Sequence, residues 1–175
     1  MFIISRYIIR KQLMRMSGFY DRNGKMCTLV EETRKTFIVD KSPLEILDDS
    51  IRKIGYNLNG AMETSKQLLG NVYHCPVLVN PIQRIVLFPT RSALHEECSW
   101  FNPVHTKRTS SLNRKTHIMF SNGKTFNFPA KLSSFNNKIK RAEQLEEMTR
   151  DSIFIIWDEQ LSLVKKRKNN NNHLP

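Results

Sequence analysis

Cysteine and glycine are both scarce in this chain of 175 residues, which holds three cysteines and six glycines. The cysteines, Cys27, Cys75 and Cys98, are too few and too scattered for the disulfide framework of a small secreted protein, and they fit a reducing cytosol. None of the glycines lies in a G-x-x-x-x-G-K loop, the signature of P-loop nucleotide-binding enzymes. The composition therefore argues against both of these protein classes.

Long hydrophobic runs are missing as well. The N-terminal stretch from Met1 to Ile9 is apolar, but Arg6 interrupts it, so it is too short and too charged for a signal peptide or a membrane span. A mean hydropathy of −0.46 and an aromatic content of 9% are typical of a folded chain rather than a disordered basic tail. We therefore expect a cytoplasmic protein without a membrane partner, located at the nucleoid if the organism is bacterial.

Acidic side chains are few relative to basic ones, 16 against 28, which gives a formal net charge of +12 and a pI of about 9.9. An excess of this size on a small chain favours a polyanionic partner, and nucleic acid is the first candidate. The excess is uneven, because residues 1–103 hold 14 basic and 10 acidic residues whereas residues 104–175 hold 14 and 6. The C-terminal part is therefore expected to face the polyanion.

Short β-branched and apolar runs, separated by Pro, Asn and Gly, predict a β-rich fold. Three further segments have helical periodicity. We therefore predict a single α+β domain, a β-rich arrangement of meander and hairpins with about three helices packed on the sheet. The predicted strands lie in residues 2–16, which form one or two strands, and in residues 26–30, 36–39, 76–79 and 84–90, with a turn at residues 21–24.

The strongest local signal is a hairpin over residues 116–128, with Asn122 and Gly123 at its turn. A two-residue turn would leave both faces partly apolar, whereas a three-residue loop with a left-handed Gly123 pairs Ile118 with Phe126. We predict the second register because it gathers the apolar side chains on one face. That face holds Thr116, Ile118, Phe120, Phe126 and Phe128, and the other holds His117, Met119, Thr125 and Asn127.

Two helices are predicted in the first half of the chain. Ser42 caps the first of them, Pro43 takes its first position, Glu45 completes a capping box, and Gly55 ends it. The second covers residues 61–69 and is closed by the glycine that follows.

A third helix is predicted near the C-terminal end, capped by Ser133 or Ser134 and running to about residue 150. Its apolar stripe has helical spacing, and its first half is basic. The polar segments 91–98 and 106–114 are predicted as loops, and the basic residues of the second are candidates to follow a phosphate backbone.

The last part of the chain differs in composition from the rest. Residues 152–157 are an apolar run, residues 165–168 are all basic, and residues 169–172 are all asparagine. We therefore place the domain that is expected to bind nucleic acid at residues 1–150 and a divergent C-terminal segment with a basic, asparagine-rich tail at residues 151–175.

Two constellations suggest enzyme chemistry, and both are weak. His74, Cys75, Cys98 and His105 are zinc-ligand types, but the chain has no Cys-x-x-Cys pair, and adjacent residues on a strand point to opposite faces. Cys98 and His105 also have the residue types of a nucleophile and its base, yet no oxyanion loop is evident, and Cys98-x-Trp100 is typical of a packed corner. We expect no enzyme, no metal and no cofactor.

Common DNA-binding signatures are missing from the sequence. We find no helix-turn-helix, no basic zipper, no zinc finger and no aromatic RNA-binding motif. Phe126 and Phe128 alternate as stacking aromatics would, but core residues explain this pattern better.

Several short motifs follow one another in residues 86–137. They are Val86-Leu-Phe-Pro-Thr-Arg-Ser92, Cys98-x-Trp100 followed by His105, Phe120-Ser-Asn-Gly-Lys-Thr125 and Ser134-Phe-Asn-Asn137. Their order and spacing resemble those of the competence transcription factor (ComK) family, and the likeness covers about residues 20–145. The resemblance implies a transcription activator of DNA-uptake genes, which binds paired AT-rich boxes largely through the minor groove as a homo-oligomer. Some members also bind a proteolytic adaptor, which we keep as a candidate partner.

The main departure from the family lies after the first helix. Many members carry Tyr-x-Gly-Arg there; Gly60 aligns with the glycine, Leu58 with the tyrosine and Ala61 with the arginine. This departure supports an alternative function, a diverged protein-interaction module that lost tight DNA binding and pairs with a paralogue or a regulatory partner. RNA binding is a third interpretation.

The residues expected to contact DNA are chosen because they are basic and flank the hairpin, and the family does not supply them. They are Arg91, Lys107, Arg108, Arg114, Lys115, Lys124, Lys138 and Arg141.

Overall fold

The fold is built around a seven-stranded sheet with a layer of structure on each face, and the computed structural model describes residues 2–150. The helices are α1 (Pro43–Arg52), α2 (Leu58–Leu69) and α3, which covers residues 132–150; the predicted segment 151–175 lies outside the described residues. The strands are β1 (Ile3–Ile4), β2 (Leu13–Tyr20), β3 (Met26–Glu32), β4 (Thr36–Val39), β5 (Val77–Asn80), β6 (Ile85–Pro89), β7 (Ser99–Phe101), β8 (Thr106–Leu112), β9 (Lys115–Phe120) and β10 (Thr125–Phe128).

The predicted meander is present as the antiparallel strands β2, β3 and β4. The prediction of strand over residues 2–16 is wrong in its bounds, because residues 6–12 are not strand and β2 continues to Tyr20. Strands β7, β6 and β5 extend the sheet beyond β2, so its order is β1-β4-β3-β2-β7-β6-β5. The first strand departs from a simple meander, because β1 pairs in parallel with β4. Residues 5–12 connect β1 to β2 and are long enough to cross the two strands that separate them.

Alternation along the central strands divides the hydrophobic core in two. Leu87 and Trp100 point to the face that α1 covers. Their neighbours Phe88 and Phe101 point to the opposite face, which is covered by α3 and by a separate antiparallel sheet of order β10-β9-β8. The three layers form a single α+β domain, as predicted. No helix among residues 2–150 is long and apolar enough to cross a membrane.

Helix α1 begins as predicted and ends earlier than predicted. The Ser42 hydroxyl accepts a hydrogen bond from the Glu45 N–H, and the Glu45 carboxylate accepts one from the Ser42 N–H at 2.7 Å, which completes the capping box. The last helical residue is Arg52 rather than a residue next to Gly55, which lies in the following turn with φ of +89°.

The Ser42→Ala variant is expected to lower the free energy of unfolding by about 1 kcal/mol, because the Glu45 N–H loses its acceptor and the Glu45 carboxylate loses the hydroxyl that donates to it. Urea unfolding monitored by circular dichroism measures the change. Ser42→Asp supplies another capping oxygen and should recover most of the loss. Equal destabilisation by Ala and Asp would show that the Ser42 hydroxyl does not act as the cap.

Helix α2 starts three residues earlier than predicted. The side chain of Asn57 caps it by accepting a hydrogen bond from the Gly60 N–H at 2.8 Å. The sequence 58–60 has no strong helix former apart from Leu58, and the cap compensates for the glycine. The C-terminal end is as predicted, since Gly70 has φ of +79°.

The predicted cap of α3 is wrong. The helix is already formed at residue 132, so Ser133 and Ser134 lie in its first turn, and the Phe135 N–H donates to the Lys131 carbonyl. The predicted apolar stripe is confirmed, because Phe135 and Leu145 are fully buried against the central sheet.

The predicted loop at residues 106–114 is a strand. Residues 106–112 form β8, which pairs along its length with β9. The segment has the composition of a loop because β8 is an edge strand with a largely exposed surface, so no apolar alternation marks it.

The predicted hairpin of β9 and β10 is confirmed in its register. Ile118 pairs with Phe126, the Phe120 N–H donates to the Lys124 carbonyl, and Gly123 has φ of +80°. Its apolar face packs on the central sheet, which leaves the other face outward.

Candidate nucleic-acid interface

The outward face of the three-stranded sheet is a polar surface, here called the outer sheet face. Residues that pair across antiparallel strands have their side chains on the same face of the sheet. Knowing which residues of one strand face outward therefore identifies the outward residues of the strands paired with it. The face is formed by Arg108, Ser110 and Leu112 of β8, Lys115, His117 and Met119 of β9, and Thr125 and Asn127 of β10. His117 Nδ1 lies 2.7 Å from Asn127 Oδ1, which orders its centre.

Carboxylates are missing from this part of the chain. No Asp or Glu occurs between Glu97 and Glu143, so neither the three-stranded sheet nor the first half of α3 carries one. The predicted contact set did not use this run, and it lacks two exposed lysines: Lys131, just before α3, and Lys140, within α3. The distance in sequence between successive acidic residues is the signal that marks this segment and its two further cations.

Three predicted contact residues gather at one end of the outer sheet face. Lys107 is the extra residue of a β-bulge between Thr106 and Arg108, and bulges redirect side chains. Arg108 pairs with Met119, next to the turn that carries Lys124. All three cations are exposed, and no described carboxylate pairs with them.

Two more predicted residues lie at the opposite end. A tight turn joins β8 to β9, and both of its central residues, Asn113 and Arg114, have positive φ, of 48° and 64°. This is the backbone of a type I′ turn, which follows the twist of the strands and holds Arg114 at the tip of the hairpin. Lys115 is four residues from Met119, so about 14 Å separates the two ends.

Lys138 takes a structural position. Its half-buried ammonium donates to the carbonyls of Pro89 and Thr90, at 3.3 and 2.6 Å, and so joins α3 to the end of β6. Burial lowers the pKa of Lys138. Because both carbonyls hold the ammonium inside the fold, we leave Lys138 out of the contact set proposed below.

Arg91 and Arg141 lie away from the outer sheet face. The Arg91 guanidinium pairs with the Glu97 carboxylate at 3.3 Å in the loop between β6 and β7. Arg141 donates to the Tyr73 carbonyl at 3.4 Å. The structure therefore brings five of the eight predicted contact residues together, and it groups the other three near the first half of α3.

The departure at residues 58–61 lies inside α2 rather than between two helices. Ala61 is in the first turns of α2 and packs partly against the core beneath it. Ala61 lines a groove together with Leu68 of α2 and Leu145 of α3, and it is not part of the outer sheet face. The replacement by Ala61 therefore leaves the outer sheet face unchanged.

The residues considered for zinc or nucleophilic chemistry are tied into the fold. Cys98 is buried, and burial raises the pKa of its thiol, which disfavours the thiolate. The His105 ring lies 2.7 Å from the Ser121 hydroxyl and bonds the Lys11 carbonyl. Among residues 2–150, no three His, Cys, Asp or Glu side chains are grouped closely enough to hold a metal ion.

Comparison with known proteins agrees with the motifs in the sequence. The model of the ComK protein family matches residues 4–153. The competence transcription factor of Bacillus subtilis (strain 168) is 33% identical over 132 residues, which cover 75% of this chain and 69% of that protein. No solved structure matches the chain significantly. The chain therefore belongs to the ComK family.

Proposed function

We propose that this protein activates transcription of DNA-uptake genes by binding AT-rich promoter DNA, as a regulator and not as an enzyme. The observation that carries the proposal is the outer sheet face, where five exposed cations flank a surface without carboxylates. The name of the Bacillus subtilis relative, a competence transcription factor, supports the regulatory role.

The minor groove suits the shape and charge of this surface. An A·T tract has a narrow minor groove with a strongly negative potential, which attracts an inserted guanidinium. Arg114 projects from the hairpin tip and is the residue we assign to the groove. We assign Lys107, Arg108, Lys115 and Lys124 to phosphates, because such contacts position a protein without reading sequence.

The distance between the two ends of the sheet agrees with this assignment. About 14 Å separates them, and successive phosphates on one strand follow every 3.4 Å along the duplex axis, so the two cation groups span about four base-pair steps. Sequence would then be read as groove width and A·T content rather than base by base.

Paired boxes would require a homo-oligomer, with one protomer on each box and the spacing set by helical turns of DNA. In this proposal the protein acts in the cytoplasm at the nucleoid, residues 1–150 bind DNA, and a proteolytic adaptor is a candidate partner.

Fluorescence anisotropy tests the proposal with an AT-box duplex and a GC-rich duplex of equal length. Tight binding to the AT box, weaker binding to the GC duplex, and displacement by a drug that occupies the minor groove are expected. Equal and weak binding to both duplexes, lost as salt rises, would contradict sequence-selective activation. That result would favour the protein-interaction module suggested by Ala61.

A further inference from the structure

A second group of cations surrounds the loop of residues 71–76, which links α2 to the edge strand β5. Arg141 of α3 reaches this loop and donates to the Tyr73 carbonyl at 3.4 Å. The Tyr73 side chain is 87% exposed. A partly exposed arginine therefore contacts the backbone of a residue whose phenol is exposed to solvent.

Lys66 of α2 completes the group. The last turn of α2, which holds Lys66, leads directly into the loop of residues 71–76. Burial raises the pKa of the Cys75 thiol in this loop, and the positive charges of Lys66 and Arg141 both oppose that rise. Lys66 is exposed in the last turn of its helix. Two helices, α2 and α3, thus each carry a cation near the loop at this edge of the central sheet.

The cations at this edge have no carboxylate partner within the described residues. The pKa of His74 is lowered by burial and then by the charges of Lys138 and Arg141. In residues 2–150, no carboxylate forms an ion pair with Lys66 or Arg141. An anion bound here would relieve this repulsion.

We propose that Lys66, Tyr73 and Arg141 form a second anchor for DNA phosphates, acting on the same duplex as the outer sheet face. This inference rests on the proposed function. Arginine, lysine and tyrosine are common donors to phosphate oxygens, and such contacts add affinity without reading sequence. One of the guanidinium donors of Arg141 is used by the Tyr73 carbonyl, and four remain for a phosphate.

The first half of α3 connects the two surfaces. The Thr109 hydroxyl of β8 donates to the Asn136 side-chain oxygen at 2.7 Å, so the strand that carries Lys107 and Arg108 contacts the helix there. Arg141 is five residues further along α3, which is about 7.5 Å at 1.5 Å per residue. A single duplex turn is therefore long enough to reach both surfaces.

The double variant Lys66→Gln/Arg141→Gln tests the anchor in the full-length protein. The matched control is Lys53→Gln/Arg22→Gln, which removes one exposed Lys and one exposed Arg elsewhere. The slope of log K against log salt should become shallower by about 1.8, because each lost phosphate contact contributes about 0.9. At roughly 0.1 M salt this corresponds to about 60-fold weaker binding. The ratio of AT to GC affinity should stay that of the wild type.

The outcomes separate the anchor from the proposed function. If the wild type selects the AT box and the double variant matches its control in slope and affinity, the anchor is wrong and the proposed function stands. If the wild type binds no DNA, both fail. Should the double variant not fold by circular dichroism, Lys66→Gln alone should lower the slope by about 0.9, and no change would again overturn the anchor.

Discussion

Charge reversal of Lys107 and Arg108 is expected to weaken binding to the AT-box duplex at least about 50-fold at roughly 0.1 M salt. Each phosphate contact changes the salt slope by about 0.9, which corresponds to about eightfold in affinity at that salt concentration. Two lost contacts therefore account for about 60-fold, and two glutamates add repulsion from the phosphates. Both side chains are exposed and unpaired within the described chain, so the loss should come from DNA binding rather than from the fold.

The control for this variant is Arg22→Glu/Lys53→Glu, which makes the same change of charge in the β2–β3 turn and after α1. The DNA affinity of the control should fall only slightly, because its lower net charge weakens attraction to DNA in a general way. Both variants should melt near the wild-type temperature. A promoter reporter should lose its output with the first variant and retain it with the control. Equal affinity of the two variants would place the DNA interface away from β8, and retained promoter output would support the protein-interaction module.

The sequence was sufficient for elements whose signals are local. The α1 start is fixed by Ser42 and Glu45, three residues apart, and the hairpin register by Gly123 together with the one-sided set of apolar residues. Strand β8 carried no such signal, since an edge strand on a surface needs neither apolar alternation nor a buried face. Its pairing with β9 could be inferred only from the turn at Asn113 and Arg114.

The candidate site shows the same division between local and long-range information. The net charge and its position in the second half of the chain pointed to the part of the protein that we propose faces a polyanion. The role of Lys138 could not be inferred, because the carbonyls that hold its ammonium belong to residues 48 and 49 positions away in the sequence. A lysine on the basic half of a helix looks the same in sequence whether its ammonium faces water or the protein interior.

The Phe101→Ala variant is expected to lower the free energy of unfolding by about 4 kcal/mol, which corresponds to a fall of roughly 10 °C in Tm. The Phe101 ring is fully buried where the central sheet meets the layer that carries the candidate interface. It contacts four other rings, with centroid distances of 5.2–6.2 Å to those of Phe88, Phe120, Phe128 and Phe135. Removal of the Phe101 ring leaves a cavity that the four neighbouring rings cannot fill. Phe19→Ala, at a partly exposed ring, should cost about 1 kcal/mol, and equal melting of the two variants would contradict the prediction.

The loss of local stability in the Phe101→Ala variant should be larger in the three-stranded sheet than in the central sheet. The β9–β10 hairpin packs on that sheet through the aromatic cluster, and its polar contacts beyond the layer are few, such as the Asn122 side chain on the Thr33 carbonyl. Hydrogen exchange should therefore accelerate more for the amides of β9 and β10 than for those of β3 and β4, which pack on the other core around Val30 and Phe37. DNA affinity should then fall although none of the proposed contact residues is changed, because the five cations on and beside the outer sheet face depend on the three-stranded sheet for their arrangement. Equal acceleration in both sheets would mean that the three layers open as one cooperative unit, and that the interface is as stable as the domain itself.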